Sequence, residues 1–244
     1  DLQDEVAADV QSIMGQAGSP RWVFFQPTFV DATSPYQASG GPYSALGHIA
    51  LAKEGRGSFA RPSYAALHDV SGNANNGFAD DYLHHSTAGY RGDGESGWLA
   101  VSADEAGATP RRCSPISATW NSGTGKATVQ FELETAPIQL LSAGHTDCPA
   151  NYGIRAFNSG GTELTVTAVT VNGSSALDVT ITGGTPAEIW TGGKGYVSDF
   201  VTQGSKYLRS DVPRVGIHDS AANVSRYDAT PMWNWCAHEK VIVT

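Results

Sequence analysis

The residues best suited to chemistry lie in one short run, Asp80-Asp81-Tyr82-Leu83-His84-His85-Ser86-Thr87-Ala88-Gly89-Tyr90. A carboxylate three residues before an imidazole in one loop can hold the ring, fix its tautomer and stabilise the imidazolium formed when histidine takes a proton. Asp81 and His84 have that spacing, which makes His84 the candidate general base and Asp81 its orienting partner. Asp80 and His85 are the rivals, and His85 is read as a group of the cleft wall, a candidate substrate contact. The spacing alone is weak, since any acidic loop with two histidines supplies it. Such a pair activates a hydroxyl, yet the chain has no Gly-x-Ser-x-Gly elbow to provide one. Ser71-Gly72-Asn73 sits just ahead of the histidine loop and reads as a turn.

Other candidates are less specific. Trp233 and Trp235 alternate by strand parity, so they either fill a core or present a ring for stacking against a sugar. Asp211, Asp219 and Asp228 could ligate calcium from loops, but without EF-hand spacing they read as solvated carboxylates. Cys113, Cys148 and Cys236 are too far apart in sequence for the four close-set ligands of structural zinc. At most one disulfide can form among them, and buried free thiols are the plainer reading. Neither a metal nor another cofactor is expected.

The elements that must position these groups fall into two regimes. Leu2, Val6, Val10 and Ile13 recur at helical spacing, so the chain opens inside an amphipathic helix with no charged n-region or apolar h-region of a signal peptide. A preceding segment is expected to have been cleaved off, to lie outside this sequence, or to belong to another chain. Val23-Phe24-Phe25 is a continuous apolar run, the pattern of a parallel strand buried on both faces. Tyr43 to Lys53 reads as a helix ended by Gly55, and Ser63 to Leu67 as the next strand. Ser86 or Thr87 caps a helix reaching about Ala103, weakened by Gly89, Gly92, Gly94 and Gly97. From Glu105 the pattern changes to alternation, as in Lys126 to Glu134 and in the two runs flanking Asn172-Gly173, a hairpin signal. The expected architecture is an α/β parallel-sheet part at residues 1–104, a linker at 105–112, and an all-β sandwich at 113–244.

The run from Asp81 to Tyr90 resembles the last motif block of SGNH/GDSL-type hydrolases, Asp-x-x-His followed by a polar helix start and Gly-Tyr. Gln26-Pro27, Gln37-Ala38, Ala50-Leu51-Ala52 and Arg61-Pro62-Ser63-Tyr64 fall in the order found in sialate O-acetylesterase-like members, which deacetylate sugars. The resemblance implies a partial three-layer domain with a parallel sheet, with His84 activating a serine and Asp81 orienting His84. The family's Gly-Asp-Ser block and its Gly and Asn oxyanion donors have no counterpart here, and loss of such a donor costs about 10²–10³ in rate. The serine is therefore expected from a segment outside this chain, such as the N-terminal part of the same precursor. The tail, Pro231-Met-Trp-Asn-Trp-Cys236, resembles more loosely the β domains appended to such esterases and to phage fibre or spike proteins.

Composition narrows the function classes. The 244 residues carry a formal net charge of −9, with 40% hydrophobic and 16% charged residues, so real cores can form. No basic cluster exceeds Arg111-Arg112, which argues against a nucleic-acid partner, and no apolar run approaches the ~20 residues needed to cross a bilayer. The leading expectation is the C-terminal portion of a carbohydrate-directed O-acetylesterase acting on a poly- or oligosaccharide, extracellular or on a virion surface. The alternative is a non-catalytic virion spike or tail-fibre component, a homo-oligomer or part of a larger assembly, that binds host polysaccharide. An unrelated binding module with a fortuitous Asp-x-x-His loop is the third.

Overall fold

The computed structural model describes residues 2–15, 20–26, 43–62, 64–65, 85–141, 150–192, 202–203, 206–207, 215–229 and 231–244. Helix α1 (Leu2–Met14) leads to strand β1 (Val23–Gln26), helix α2 (Tyr43–Lys53), strand β2 (Ser58–Pro62) and helix α3 (Thr87–Glu105). Thereafter the described structure is β apart from a 3-10 turn at Ala150–Gly153, with β3 (Cys113–Asn121), β4 (Lys126–Leu133), β5 (Gln139–Leu140), β6 (Ile154–Phe157), β7 (Glu163–Asn172), β8 (Ala176–Thr182) and β9 (Glu188–Thr191). It ends with β10 (Thr202–Gln203), β11 (Lys206–Tyr207), β12 (Ile217–His218) and β13 (Glu239–Ile242).

The expected α/β domain with its three-layer parallel sheet is not what forms. Among the described residues β1 and β2 make one parallel pair, kinked between Phe24 and Phe25, and the molecule is mostly β. The apolar run at Val23–Phe25 is buried on alternate residues rather than throughout, and β2 lies at Ser58–Pro62, ahead of the Ser63–Leu67 segment that the sequence suggested. Tyr64 and Ala65 are buried there as a turn that joins the β core, because their apolar surface is claimed by that core instead of by a third parallel strand.

The sandwich expectation is corrected too. Seven strands form one antiparallel sheet in the order β13-β9-β6-β7-β8-β4-β3. Its two edges nearly close on each other: Ala118 bridges Val243, the Trp120 N–H donates to the Thr244 carbonyl at 2.8 Å, and the Thr244 N–H donates to Ala118 at 3.0 Å. Alternation specifies one buried face per strand without saying whether two sheets or one curved sheet supplies the opposing face. Bulges between Pro115 and Ser117 in β3 and between Val166 and Ala168 in β7 bend this sheet toward closure. The buried faces interleave Ala127, Val129 and Phe131 of β4 with Leu177, Val179 and Ile181 of β8, each large side chain worth about 1.5–3 kcal/mol. Asn172-Gly173 does turn the β7–β8 hairpin, with Gly173 at φ +73°. Cys113 and Cys236 bridge side by side as free thiols, and burial followed by their mutual hydrogen bond and charge pushes the Cys113 thiol well above its ordinary range.

The helical part is fastened to the sheet through polar groups. Gln26 is fully buried at the end of β1; its Nε2 donates to the Ala45 carbonyl at 2.8 Å and to the His238 carbonyl at 2.7 Å, while Oε1 accepts from the His238 N–H at 2.6 Å. Lys53 pairs with Glu239 at 2.8 Å, Ser114 donates to the same carboxylate at 2.9 Å, and the Tyr64 hydroxyl donates to the Cys236 carbonyl. The His238 ring lies edge-on to Tyr64, and it fits only because residue 192 is glycine: a Cβ there would overlap the imidazole, and Gly192 adopts φ +85°.

Two outcomes follow. Gln26→Leu keeps the volume but leaves the His238 N–H and carbonyl without that partner, and should lower unfolding free energy by about 3 kcal/mol in urea titrations; a change under about 0.5 kcal/mol would show the seam to be energetically idle. Burial holds the His238 pKa down to about 3, against the opposing hydrogen bond with the Thr191 backbone. The unfolded chain thus takes up a proton near 6.5 that the folded chain refuses, so stability is whole above pH 6.5 and falls by about 1.4 kcal/mol per unit as pH drops toward 3. His238→Asn should flatten the stability–pH slope between pH 6 and 4 by one proton relative to the parent.

Candidate functional site

Ser86 starts α3 as its N-cap, in extended backbone at φ −69° and ψ 171°, with its hydroxyl accepting from the Gly89 N–H at 3.3 Å. His85, immediately before the cap, is therefore held against the first two turns. Its Nδ1 lies 2.7 Å from Asp93 Oδ2, and its ring centroid is 5.4 Å from that of Tyr90. Asp93 Oδ1 accepts from Arg61 Nε at 2.8 Å, and Arg61 Nη2 also donates to the Gly89 carbonyl at 3.0 Å. Arg61 belongs to β2 and is 4% exposed. Gly92 makes this crossing possible, because a Cβ there would lie 2.8 Å from Arg61 Nη2. That glycine costs helix propensity and gives a guanidinium room to lie across the helix.

Burial works against charge on Asp93, but the hydrogen bond from His85, the positive charge of Arg61 and the Arg61 hydrogen bond together lower its pKa from the ordinary value. An ionised carboxylate only accepts, so Nδ1 of His85 carries a proton and, in the neutral ring, Nε2 carries the lone pair. That is the tautomer a proton-accepting histidine needs. The carboxylate's own stability contribution is present at neutral pH and is lost as pH falls through its lowered folded pKa.

Asp81 and His84 lie outside the described residues. His85, the sequence-derived cleft-wall candidate, sits in the Asp93–Arg61 network. Asp93 and Arg61 escaped sequence reasoning because no local motif joins residues 61, 85 and 93; the only hint was a glycine inside a helix beside a carboxylate. Trp235 is 1% exposed and packs in the β core, while Trp233 is half-buried; the His218 ring lies 4.7 Å from Trp233 and 5.0 Å from Trp235. Asp219 is buried and accepts from the Glu134, Thr135 and Ala221 N–H groups and from Asn234, and Asp228 pairs with Arg91 at 2.7 Å. Asp211 is outside the described residues. Among the described residues no group of three or more His, Cys, Asp or Glu is placed to hold a metal, and no helix is long and apolar enough to cross a membrane.

A cleft of about 710 Å³ lies between α1 and the approach to β3. It is lined by Arg21, Lys53, Arg56, Arg111 and Arg112, but these pair with Asp104, Glu239, Asp4, Glu134 and Glu132 respectively, so the cleft has no net positive field to draw an anion.

No protein-family model and no curated protein matches the chain. Among solved structures, a carbohydrate acetylesterase from Xanthomonas citri matches with a TM-score of 0.50 at 13% identity, over 96% of this chain and 44% of that protein. The chain thus has a distantly esterase-like fold and spans less than half of the protein it matches. The N-terminal part of the bacterial S-layer protein SbsC matches 45% of this chain and 25% of that one, at 19% identity and a TM-score of 0.26.

Removing half-buried Asp93 leaves the buried Arg61 guanidinium without its counter-charge. Asp93→Ala should therefore cost about 3–5 kcal/mol in stability and abolish the downfield proton signal of a carboxylate-bound Nδ1–H at His85. Persistence of that signal in the variant would show that another group grips the ring.

Proposed function

We propose that this chain is the C-terminal portion of a carbohydrate-directed O-acetylesterase of the SGNH type. Residues 1–104 form the end of its hydrolase unit, 105–112 the connection and 113–244 the appended β unit. The observation that carries the reading is the likeness of fold, across nearly the whole chain, to a carbohydrate acetylesterase. The Asp-x-x-His run adds to it, since His85 follows it directly in sequence and is held by Asp93, which Arg61 holds in turn.

In this reading a serine from outside the sequence attacks the acetyl carbonyl, His84 takes its proton, and Asp81 orients His84 and stabilises the imidazolium. The tetrahedral intermediate collapses when His84 returns the proton to the departing sugar oxygen, and water then repeats the cycle on the acyl-serine. His85, fixed by Asp93, forms the wall beside the base. The substrate is an acetylated poly- or oligosaccharide, met outside the cell.

The 244-residue chain made alone should release no acetate from acetylated sugars and leave nitrophenyl acetate intact. With the upstream segment restored, His84→Ala should remove activity and Asp81→Asn should lower it much less. Turnover by the isolated chain that His84→Ala abolishes would place the nucleophile inside this sequence and overturn the division of labour.

A further inference from the structure

Residues Arg91 to Leu99 of α3 turn a second face away from Arg61, and Val224, Arg226, Tyr227 and Met232 face it around a largely apolar cleft of about 420 Å³. Pockets that hold small organic ligands start at roughly 300 Å³. Met232 and Leu99 line it, together with two large aromatics left in solvent, Trp98 at 50% and Tyr227 at 71% exposure.

The polar groups at this cleft keep part of their hydrogen-bonding capacity unspent. The Arg226 guanidinium lies 4.0 Å from the Trp98 ring centroid, and no carboxylate or carbonyl among the described residues accepts from it. The Trp98 indole N–H and the Tyr227 hydroxyl likewise have no hydrogen-bond partner among the described residues. Glu95 accepts from the Arg226 backbone N–H through Oε1 at 2.7 Å, leaving Oε2 as an acceptor, while Arg91 is spent on Asp228 and on the face of Tyr227. The local charge is balanced, Arg91 and Arg226 against Asp228 and Glu95, so the cleft favours neither anions nor cations.

The exposed parts of the Trp98 and Tyr227 rings not covered by Arg226 and Arg91, an apolar floor, the N–H groups of the stacked Arg226 guanidinium and one free carboxylate oxygen match one ligand chemistry. A neutral pyranose offers C–H groups to the aromatic faces and hydroxyls that both accept and donate. We propose that the Trp98–Arg226–Tyr227 cleft is an auxiliary subsite for a neutral pyranose of the glycan chain, holding it while another of its residues lies at the His84–His85 loop. The proposal rests on the carbohydrate reading above. Trp98 supplies the platform, Arg226 and Glu95 bind adjacent hydroxyls, and Tyr227 closes the side. Both this cleft and the His85–Asp93 contact are carried by α3, so helix geometry sets the spacing between them.

The test is affinity electrophoresis of the full chain through gels containing soluble acetylated xylan or acetylated glucomannan. The parent should be retarded by at least one of them, and Trp98→Ala and Tyr227→Ala should each raise the dissociation constant tenfold or more without moving the unfolding midpoint. Because both side chains are exposed, neither change should disturb folding. Retardation undiminished in both variants, or none of the parent in either gel, overturns the subsite. So does a dimer in sedimentation that Trp98→Ala dissociates, which would give the cleft to a second copy. Acetate release after restoring the upstream segment is read separately: Trp98-dependent retention without acetate release sinks the esterase reading and leaves the subsite standing, and the converse sinks the subsite alone.

Discussion

One side-chain amide holds the two kinds of structure in this protein together. Gln26 imitates a peptide group, giving two hydrogen bonds and accepting one, and two of the three go to the backbone of His238, more than two hundred residues away. A parallel strand pair this short has little stability of its own, and β1 and β2 persist because α2, α3 and the chain leading into β13 cover them. The polar character of the seam demands geometry as well as proximity: an apolar contact tolerates a shift of an ångström, whereas three short hydrogen bonds in a buried site do not. His238 reinforces this by staying neutral in a space that only a glycine at position 192 leaves open.

The same economy organises the neighbourhood of α3. A glycine-poor helix would be stiffer, but Arg61 could not then cross it to reach Asp93. The arginine neutralises the carboxylate, the carboxylate fixes the imidazole, and the Ser86 cap sets where the imidazole stands. His85, Ser86 and Asp93 belong to the start of α3 while Arg61 comes from β2, so the arrangement depends on the packing of that helix against the strand as well as on its cap. The apolar and aromatic side of the helix is the half left over once the buried face has been committed to this network.

What could be seen in the sequence was local. Helix α2 at Tyr43–Lys53, a helix cap at Ser86 or Thr87, which the structure resolves to Ser86, and the Asn172-Gly173 turn follow from capping, periodicity and turn chemistry within a few residues. Alternation in β4 identified Ala127, Val129 and Phe131 as one face, and that face is buried. What escaped was the partnership between distant elements: a short apolar run looks the same in one parallel pair as in a full parallel sheet, and alternating strands look the same in a sandwich as in a sheet that bends round to meet itself. The candidate site divides likewise. The histidine-bearing loop announced itself by residue type, with Asp81 and His84 outside the described residues, while the partners of His85 come from residues 61 and 93, whose roles appear only after folding.

Closure of the sheet has a consequence for biosynthesis. The outer rim of β3 is knit by residues 243–244, and the polar seam around Gln26 waits for residue 238. On the ribosome, β1 and β3 emerge long before those residues do, so an unpaired strand rim and an unsatisfied interior amide persist until residues 238–244 follow. Such a rim invites pairing with other nascent chains. The exposed acidic surface of a chain at net −9 is the feature that would keep those half-made molecules apart until the last strand arrives.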